Sequence, residues 1–496
     1  MEFSTTFGMP VPGRDAVPND PSDPFHILVL GDFGSRQLSE SPVRIDRDDF
    51  DDVFRKMDVN VSLALEPGAP ELELGFAEFD DFHPDNLFDR LPLFESLRTQ
   101  RQRLMNAETF AEEAELILGS SETATNTDTP ADDDATTSDV DTGDLLNMAV
   151  EQAQSRQKSF AEQIAEGQLN IDDYVRQVVE PYVVAKADPR QAEFIDALDE
   201  AIAGTMRKVL HHPKFQQLEA AWTGLRMLVR RLETDSKLKI SVLSLSKENL
   251  SDDLSKDDLS QSRLYKELVT STNVAGAAAW SVVIGNYIFD ESAADVQLLG
   301  RIANIQQAAN TVMIAGASPT ILGCPDLFAA PHSEDWTISD EANERWNALQ
   351  SLPAARHVGL MLPRLLARQP YGVKSSPIES FAFDEVPDGS VHQDYLWMNG
   401  AFGVGVLLGN AFSRAGWGLN SSVAKELDRM PLYVYDDGGE SKIKPCAEIE
   451  LNLATESLIA GSGLSAIYSI RSRDAVRIPA IRSLSNQEAT LAASWT

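Results

Sequence analysis

Short apolar runs closed by glycine alternate along this chain with stretches whose apolar residues recur every three to four positions. The run Phe25 to Leu30, closed by Gly31, is continuous enough for a buried strand. Phe50, Val53, Phe54 and Met57 follow at helical spacing, with Asp48 or Asp49 placed to cap the helix. Leu72, Leu74 and Phe76 alternate, which predicts a strand running into a turn and helix start at Asp80 to Pro84. Residues 85–118 then read as helical, with Leu87, Leu91, Phe94 and Leu97 on one side.

Further along, Leu146, Ala149, Val150 and Ala153 fall on one face of a short helix over 144–156, with Asp144 as its N-cap. Helical patterns continue through 159–186 and 194–232, the latter broken near His212 and Pro213. Residues 238–246 and 277–289 predict strands, 295–311 a helix, 312–319 a strand and turn, and 341–352 a helix. Apolar segments at 358–366, 401–417, 431–439 and 446–455 complete a mixed α/β alternation. No period of 20–50 residues is present, so the chain is not a solenoid.

Charge divides this pattern. Among 496 residues, Lys plus Arg number 42 and Asp plus Glu 77, a net charge of −35. Such a chain does not coat nucleic acid or an anionic membrane through its overall field. Residues 119–144 carry eight acidic and no basic residues, and Val140 is the one aliphatic side chain there larger than alanine. That stretch buries too little apolar surface to offset chain entropy and is expected to be a disordered linker. The lead over 1–23 holds Pro10, Pro12, Gly13, Pro18 and Pro21 and is expected to be an extended arm. The expected divisions are therefore 1–23, 24–118, 119–144, a helical segment over 145–193, and a core over 194–496. Two cysteines 122 positions apart, Cys324 and Cys446, exclude a disulfide framework and suit a reducing compartment. With no secretory leader and no apolar run long enough to span a bilayer, the expected location is the cytoplasm.

Candidate chemistry is sparse. Asp32-Phe33-Gly34 matches the metal-binding triplet of protein kinases, but no room precedes it for the rest of a kinase, and a strand ending in a glycine turn fits better. Gly400, Gly403, Gly405 and Gly409 are spaced as GxxGxGxxxG, which suits close helix packing better than a dinucleotide loop. The seven histidines form no HxxxH or HExxH pair, and Asp139-x-Asp141-x-Gly143 lacks the distal ligands of a calcium loop. Trp222, Trp280, Trp336, Trp346, Trp397 and Trp417 are expected in the core, with an interface anchor as the alternative for some. No catalytic, cofactor or metal site is predicted.

Three blocks in order, PFHILVLGDFGSR (24–36), PVRIDRDDFDDVF (42–54) and LGFAEFDDFHPDNLFDRLP (74–92), resemble the small, TssB-like subunit of the type VI secretion contractile sheath. HHPKFQQLEAAWTGLRMLV (211–229), LKISVLSLSKENLSDDL (238–254), SRLYKELV (262–269), the run over 282–319, RHVGLMLPRLLARQPYG (356–372) and YLWMNGAFGVGVLL (395–408) resemble the large, TssC-like subunit. The two are usually separate chains; here the acidic stretch joins them. Large subunits continue after the segment corresponding to 446–485, so the large module is expected to be C-terminally shortened.

The resemblance implies an α/β fold of two docked modules with mixed sheets and flanking helices. It implies a structural subunit, with no enzyme activity and no cofactor, that assembles around an inner tube and contracts to drive it through the envelope. The implied partners are other sheath subunits, the inner tube protein, a baseplate and an AAA+ recycling unfoldase of the ClpV type, with neither nucleic acid nor membrane insertion. Large subunits carry the unfoldase's recognition helix near their N-terminus, beginning with a Leu-Leu pair. Leu145 and Leu146 match that pair, with Asn147-Met148 where acids are usual, so Leu145, Leu146, Ala149, Val150 and Ala153 become the candidate site. A sheath-derived accessory, such as a cap, baseplate adaptor or assembly regulator that docks without polymerising, is the principal alternative. An enzyme of unknown type is a distant one.

Overall fold

The computed structural model describes residues 22–124 and 190–495, except 37–40, 69, 274–277, 331–332 and 487–489, together with Phe7, Val11–Gly13 and Asp20. In chain order the elements used below are β1 (Phe25–Gly31), β2 (Val43–Ile45), α1 (Phe50–Lys56), β3 (Val59–Leu63) and β4 (Leu72–Phe76). There follow α2 (Pro84–Arg90), α3 (Glu95–Met105), α4 (Phe110–Ala124), α5 (Gln191–Leu210) and α6 (Pro213–Arg231). Next come β5 (Leu238–Ser244), α7 (Lys247–Leu254), β6 (Val282–Phe289), α8 (Ala293–Ala309), β7 (Met313–Ala317), α9 (Asp340–Gln350) and β8 (Val358–Leu362). The rest are β9 (Leu365–Leu366), β10 (Trp397–Met398), α10 (Ala401–Ala415), β11 (Glu426–Asp428), β12 (Tyr433–Asp437), β13 (Glu440–Lys444), α11 (Leu453–Gly461), β14 (Ser465–Ala466), β15 (Tyr468–Ser469) and β16 (Ala475–Arg477).

These elements form two compact units, one from residues 1–79, 211–370 and 386–496, the other from 80–210 and 371–385. The first is built on a sheet with strand order β14-β8-β7-β6-β1-β5-β2 among the described residues. β1 comes from the small-subunit-like module, yet it lies inside the sheet. It pairs in parallel with β5, Ile27 opposite Ile240, and with β6, Ile27 opposite Val282. Both faces of an interior parallel strand are covered, which is why Phe25 to Leu30 reads as nearly continuous apolar sequence. Phe25, Ile27, Leu28, Val29 and Leu30 are each 0% exposed. The mixed α/β architecture expected from the sequence is present. The two modules join more closely than by faces alone, because one supplies a central strand of the other's sheet.

Helices cover the sheet. α8, α7 and α9 share a core with Leu28, Leu30 and Leu243, while α10 lies against β1, β5, β6 and β7 and packs on α6. The α6–α10 contact depends on glycine. A Cβ at Gly405 would sit 3.0 Å from Leu228 Cδ1 and one at Gly409 2.6 Å from Leu232 Cδ1, and a Cβ at Gly224 would run into the Phe402 ring. Close helix packing is therefore what Gly405 and Gly409 provide, while Gly400 lies against Ile467 and Gly403 against Leu365. The break expected near His212 is the start of α6, where the His212 side chain accepts from Lys214 N at 3.2 Å and Pro213 takes the first helical position.

Several strands escape the sequence reading, among them β11, β13, β14, β15 and β16 as well as β2 and β3. β2 is three residues set among Pro42, Arg44 and Asp46, and its partner is β5, nearly two hundred residues away. β3 interleaves Asn60 and Ser62 with its apolar positions and starts directly after Asp58, whose φ of 50° turns the chain out of α1.

In the second unit, α3 packs on α4 and α5. Leu104, Phe110 and Ala114 meet Phe194, Ile195 and Leu198, and the Phe110 and Phe194 rings lie edge to face at 5.8 Å. α4 runs to Ala124, past the expected boundary at 118. The remainder of the acidic stretch, and the candidate helix of Leu145, Leu146, Ala149, Val150 and Ala153, lie outside the described residues. The chain leaves the described part at the end of α4 and re-enters it just before α5, so both attachment points belong to this unit.

Candidate assembly junctions

The residues that sequence reading marked for chemistry are occupied with structure. Asp32 Oδ1 accepts from Gly34 N at 2.9 Å, and Gly34 has a φ of 66°, a turn closing β1. A Cβ there would approach Asn60 O to 2.6 Å, so glycine is required. Phe33 between them is buried against Trp222, whose indole N–H donates to Phe33 O at 3.1 Å.

The histidines are dispersed. His83 and His212 accept from backbone N–H groups at the starts of α2 and α6. His357 Nδ1 lies 2.9 Å from Thr311 O, and His211 pairs with Asp394 at 3.4 Å. His26 stacks on Trp280 with ring centroids 4.1 Å apart, and its Nε2 lies 3.1 Å from Ser241 Oγ. Burial, aided by Lys239 and Arg44, lowers its pKa to about 4. Among the described residues no three His, Cys, Asp or Glu side chains come together as a metal set. Cys324 and Cys446 are both free and buried.

Trp222 is the main anchor between segments remote in sequence. It is 0% exposed on α6, and Phe33, Phe50 and Phe54 of the small-subunit-like module close around it at 5.3, 5.8 and 4.4 Å. Trp280, Trp346 and Trp397 are also buried, while Trp336 and Trp417 are partly so. Trp495, which the pattern of apolar runs did not single out, is buried too and donates to Ser281 O at 3.2 Å.

Ion pairs whose carboxylates are largely buried tie further remote segments. In the second unit, Arg101 of α3 grips Asp199 of α5 at 2.6 and 3.1 Å, and Asp199 also accepts from Ala382 N at 3.2 Å. In the first, Arg368 holds Glu219 of α6 at 2.5 and 3.1 Å. Arg364 makes a bidentate pair with Glu448, one arm at 2.5 Å and the other at 3.1 Å, and His392 Nε2 lies 3.2 Å from the same carboxylate. Burial would raise Glu448, but His392 and Arg364 outweigh it and hold the carboxyl at about 2. Nearby, Lys444 on β13 points its ammonium at Tyr395, 4.3 Å from the ring centroid, and at Phe328, 4.7 Å. Burial lowers Lys444 to about 8, against the pull of Glu448. Isolated charges are costly to bury, so each of these groups is compensated by a partner from a distant part of the chain. Sequence spacing carries no signal for such pairs.

One groove, lined by Leu407, Val423, Lys425, Ile478, Thr490, Leu491 and Trp495 among others, is mostly apolar, with Lys425 and Thr490 as its polar side chains. No helix among the described residues is long and apolar enough to cross a membrane. The chemistry on view is that of buried junctions between remote segments of one chain. Residues 192–485 match the VipB family (EvpB), described as the tail sheath N-terminal domain, and residues 21–117 match the VipA family of the type VI secretion system. The type VI secretion system sheath protein TssC1 of Pseudomonas aeruginosa is 34% identical over 293 residues, 56% of this chain and 58% of that protein. The chain thus spans less than two thirds of the relative's length. It belongs to the tail sheath proteins. Within them it is a small, TssB-like segment fused ahead of a large, TssC-like segment in one chain.

Proposed function

We propose that this chain is a structural subunit of a type VI secretion contractile sheath, acting by assembly and carrying no catalytic site. The observation that carries the reading is the double family match on a chain whose small-subunit strand β1 is an interior strand of the large-subunit sheet. Such a protomer is one brick that carries its two subunit types in fixed one-to-one ratio. Packed interfaces of this kind are bistable, so the free-energy difference between two packings of the same bricks can be released as contraction. The proposed partners are further copies or other sheath subunits, an inner tube, a baseplate and a ClpV-type unfoldase, in the cytoplasm. The divisions at 1–23, 24–118, 119–144, 145–193 and 194–496 belong to this proposal.

Expression of the chain alone tests it. A sheath subunit forms tubes or rings in negative-stain micrographs. A uniformly small particle would replace the reading with that of an accessory docking on a sheath made by other chains.

Leu145, Leu146, Ala149, Val150 and Ala153 are proposed as the unfoldase's recognition helix. Support comes from their amphipathic spacing and from their place in a segment attached at both ends to the second unit. A helix this short is marginal alone and gains stability from a groove that accepts its apolar stripe. Changing Leu146 and Val150 to Asp removes binding of the unfoldase's N-terminal domain in calorimetry while thermal stability stays unchanged. A drop in melting temperature, with no binding by the wild type, would assign the helix to the chain's own core.

A further inference from the structure

The N-terminal arm is described at Phe7 and at Val11–Gly13, and there it lies on the chain's own first unit. One face of α8 carries Gly300, Asn304 and Ala308, spaced four apart and so aligned one turn above the next. The Phe7 ring occupies the space over Gly300, where any Cβ would run into it. Asn304 Nδ2 donates to Phe7 O at 3.0 Å. Farther along the same face Gly13 sits on Ala308, its Cβ position 3.4 Å from Ala308 Cα. Tyr265, from the helical turn Arg263–Tyr265, donates its hydroxyl to Pro12 O at 2.9 Å. Phe7 and Val11 both pack against the apolar cluster beneath.

We propose that the Gly300–Asn304–Ala308 face of α8, with Tyr265, is a receptor groove for Phe7 and Val11–Gly13, and that the free protomer covers this groove with these residues of its own. The groove combines three kinds of recognition. Phe7 and Val11 provide apolar anchors. The carbonyls of Phe7 and Pro12 are each held by a side-chain donor, which grips the backbone without reading sequence. Pro12 brings no N–H that would need a partner. The ligand class is therefore a peptide segment with an aromatic residue, an aliphatic residue four positions later and proline next. An arm that reaches a neighbouring protomer must first leave this groove. The inference does not depend on the sheath reading, since it concerns a single protomer.

The test uses a fluorescent peptide of residues Met1–Asp15 and a chain lacking residues 2–15. The peptide binds the shortened chain, and binds the intact chain at least tenfold more weakly because the tethered arm already fills the site. Phe7→Ala in the peptide, or Gly300→Val in the shortened chain, lowers affinity at least tenfold. Equal binding to intact and shortened chains, or none to the shortened chain with its circular dichroism unchanged, overturns the proposal. A second measurement needs no deletion. In full-length protein carrying Ala308→Cys, maleimide labels that cysteine at least tenfold faster when Phe7 and Val11 are both changed to Ala. Equal labelling rates would refute the groove even if the shortened chain failed to fold.

Discussion

Cutting the chain between its two segments gives the sharpest test of a shared sheet. Residues 125–189 lie between α4 and α5, and a protease site inserted there would separate 1–124 from 190–496 covalently. β1 would then be held only by what it buries and by its backbone bonds. It pairs with β5 from Phe25 to Gly31 and with β6 from Ile27 to Gly31, and Leu28 is 0% exposed in the core shared with Leu243 and Leu299. The expected result is that the cut halves remain together through gel filtration at micromolar concentration. Leu28→Ala removes buried methyl groups from a packed interior, which costs about 2–5 kcal/mol. In the intact chain that loss lowers the urea midpoint. In the cut chain it becomes affinity, and at about 1.4 kcal/mol per decade the dissociation constant rises roughly 30-fold to several thousand-fold. Titration of one labelled half against the other measures it. Halves that separate freely, or an affinity indifferent to Leu28→Ala, would refute the shared sheet.

Other consequences are as direct. Gly224→Ala drives a methyl into Phe402 and destabilises the first unit by about 1–3 kcal/mol, whereas Gly204→Ala, with open space at that position in α5, stabilises by up to about 1 kcal/mol; paired thermal melts decide both. His26 is held near 4, against 6.5 for an ordinary histidine, so below pH 6.5 the unfolded chain takes up a proton that the folded chain refuses. Stability then falls as pH drops from 6.5 through 4, by about 3 kcal/mol from this group, and His26→Gln flattens that part of a urea-midpoint profile. Asp199→Ala strands Arg101 and leaves Ala382 N without its carboxylate, costing the second unit about 3–5 kcal/mol, visible as faster hydrogen exchange in α3 and α5.

What the sequence disclosed follows from how far each interaction reaches along the chain. β1, β5, β6 and α8 carry their burial as local periodicity, and the His-Pro pairs at 83–84 and 212–213 mark the starts of α2 and α6. The glycines over 400–409 signalled close approach because that spacing serves a helix face. β2 is invisible to a local window, since three residues form a strand only when β5 offers its edge. The same holds for the junctions. Arg101 with Asp199, Arg368 with Glu219 and Arg364 with Glu448 join positions 98, 149 and 84 apart, and one charged residue read in isolation looks like any solvated one. The two sequence modules are contiguous in the chain, whereas the contact units are not: residues 24–79 fold with 211–370, and 80–118 fold with the segment beginning at α5.

That crossing of boundaries bears on why the two segments are fused. When a strand from one partner lies between two strands of the other, neither partner has a complete sheet alone, and each would expose unpaired strand edges, a known route to aggregation. Joining them in one chain turns the pairing into an intramolecular step, which raises the effective concentration of each partner for the other. The gain is largest before the sheet closes and vanishes afterwards, because the buried contacts of β1 no longer need a tether. The benefit of fusion is therefore to folding yield more than to the finished protomer. Co-expression of the halves as separate chains tests this. It gives less assembled protein than the fused chain, but the protein recovered has the same urea midpoint as fused chain cut after folding. A lower midpoint in the co-expressed pair would show that the tether acts on the native state as well.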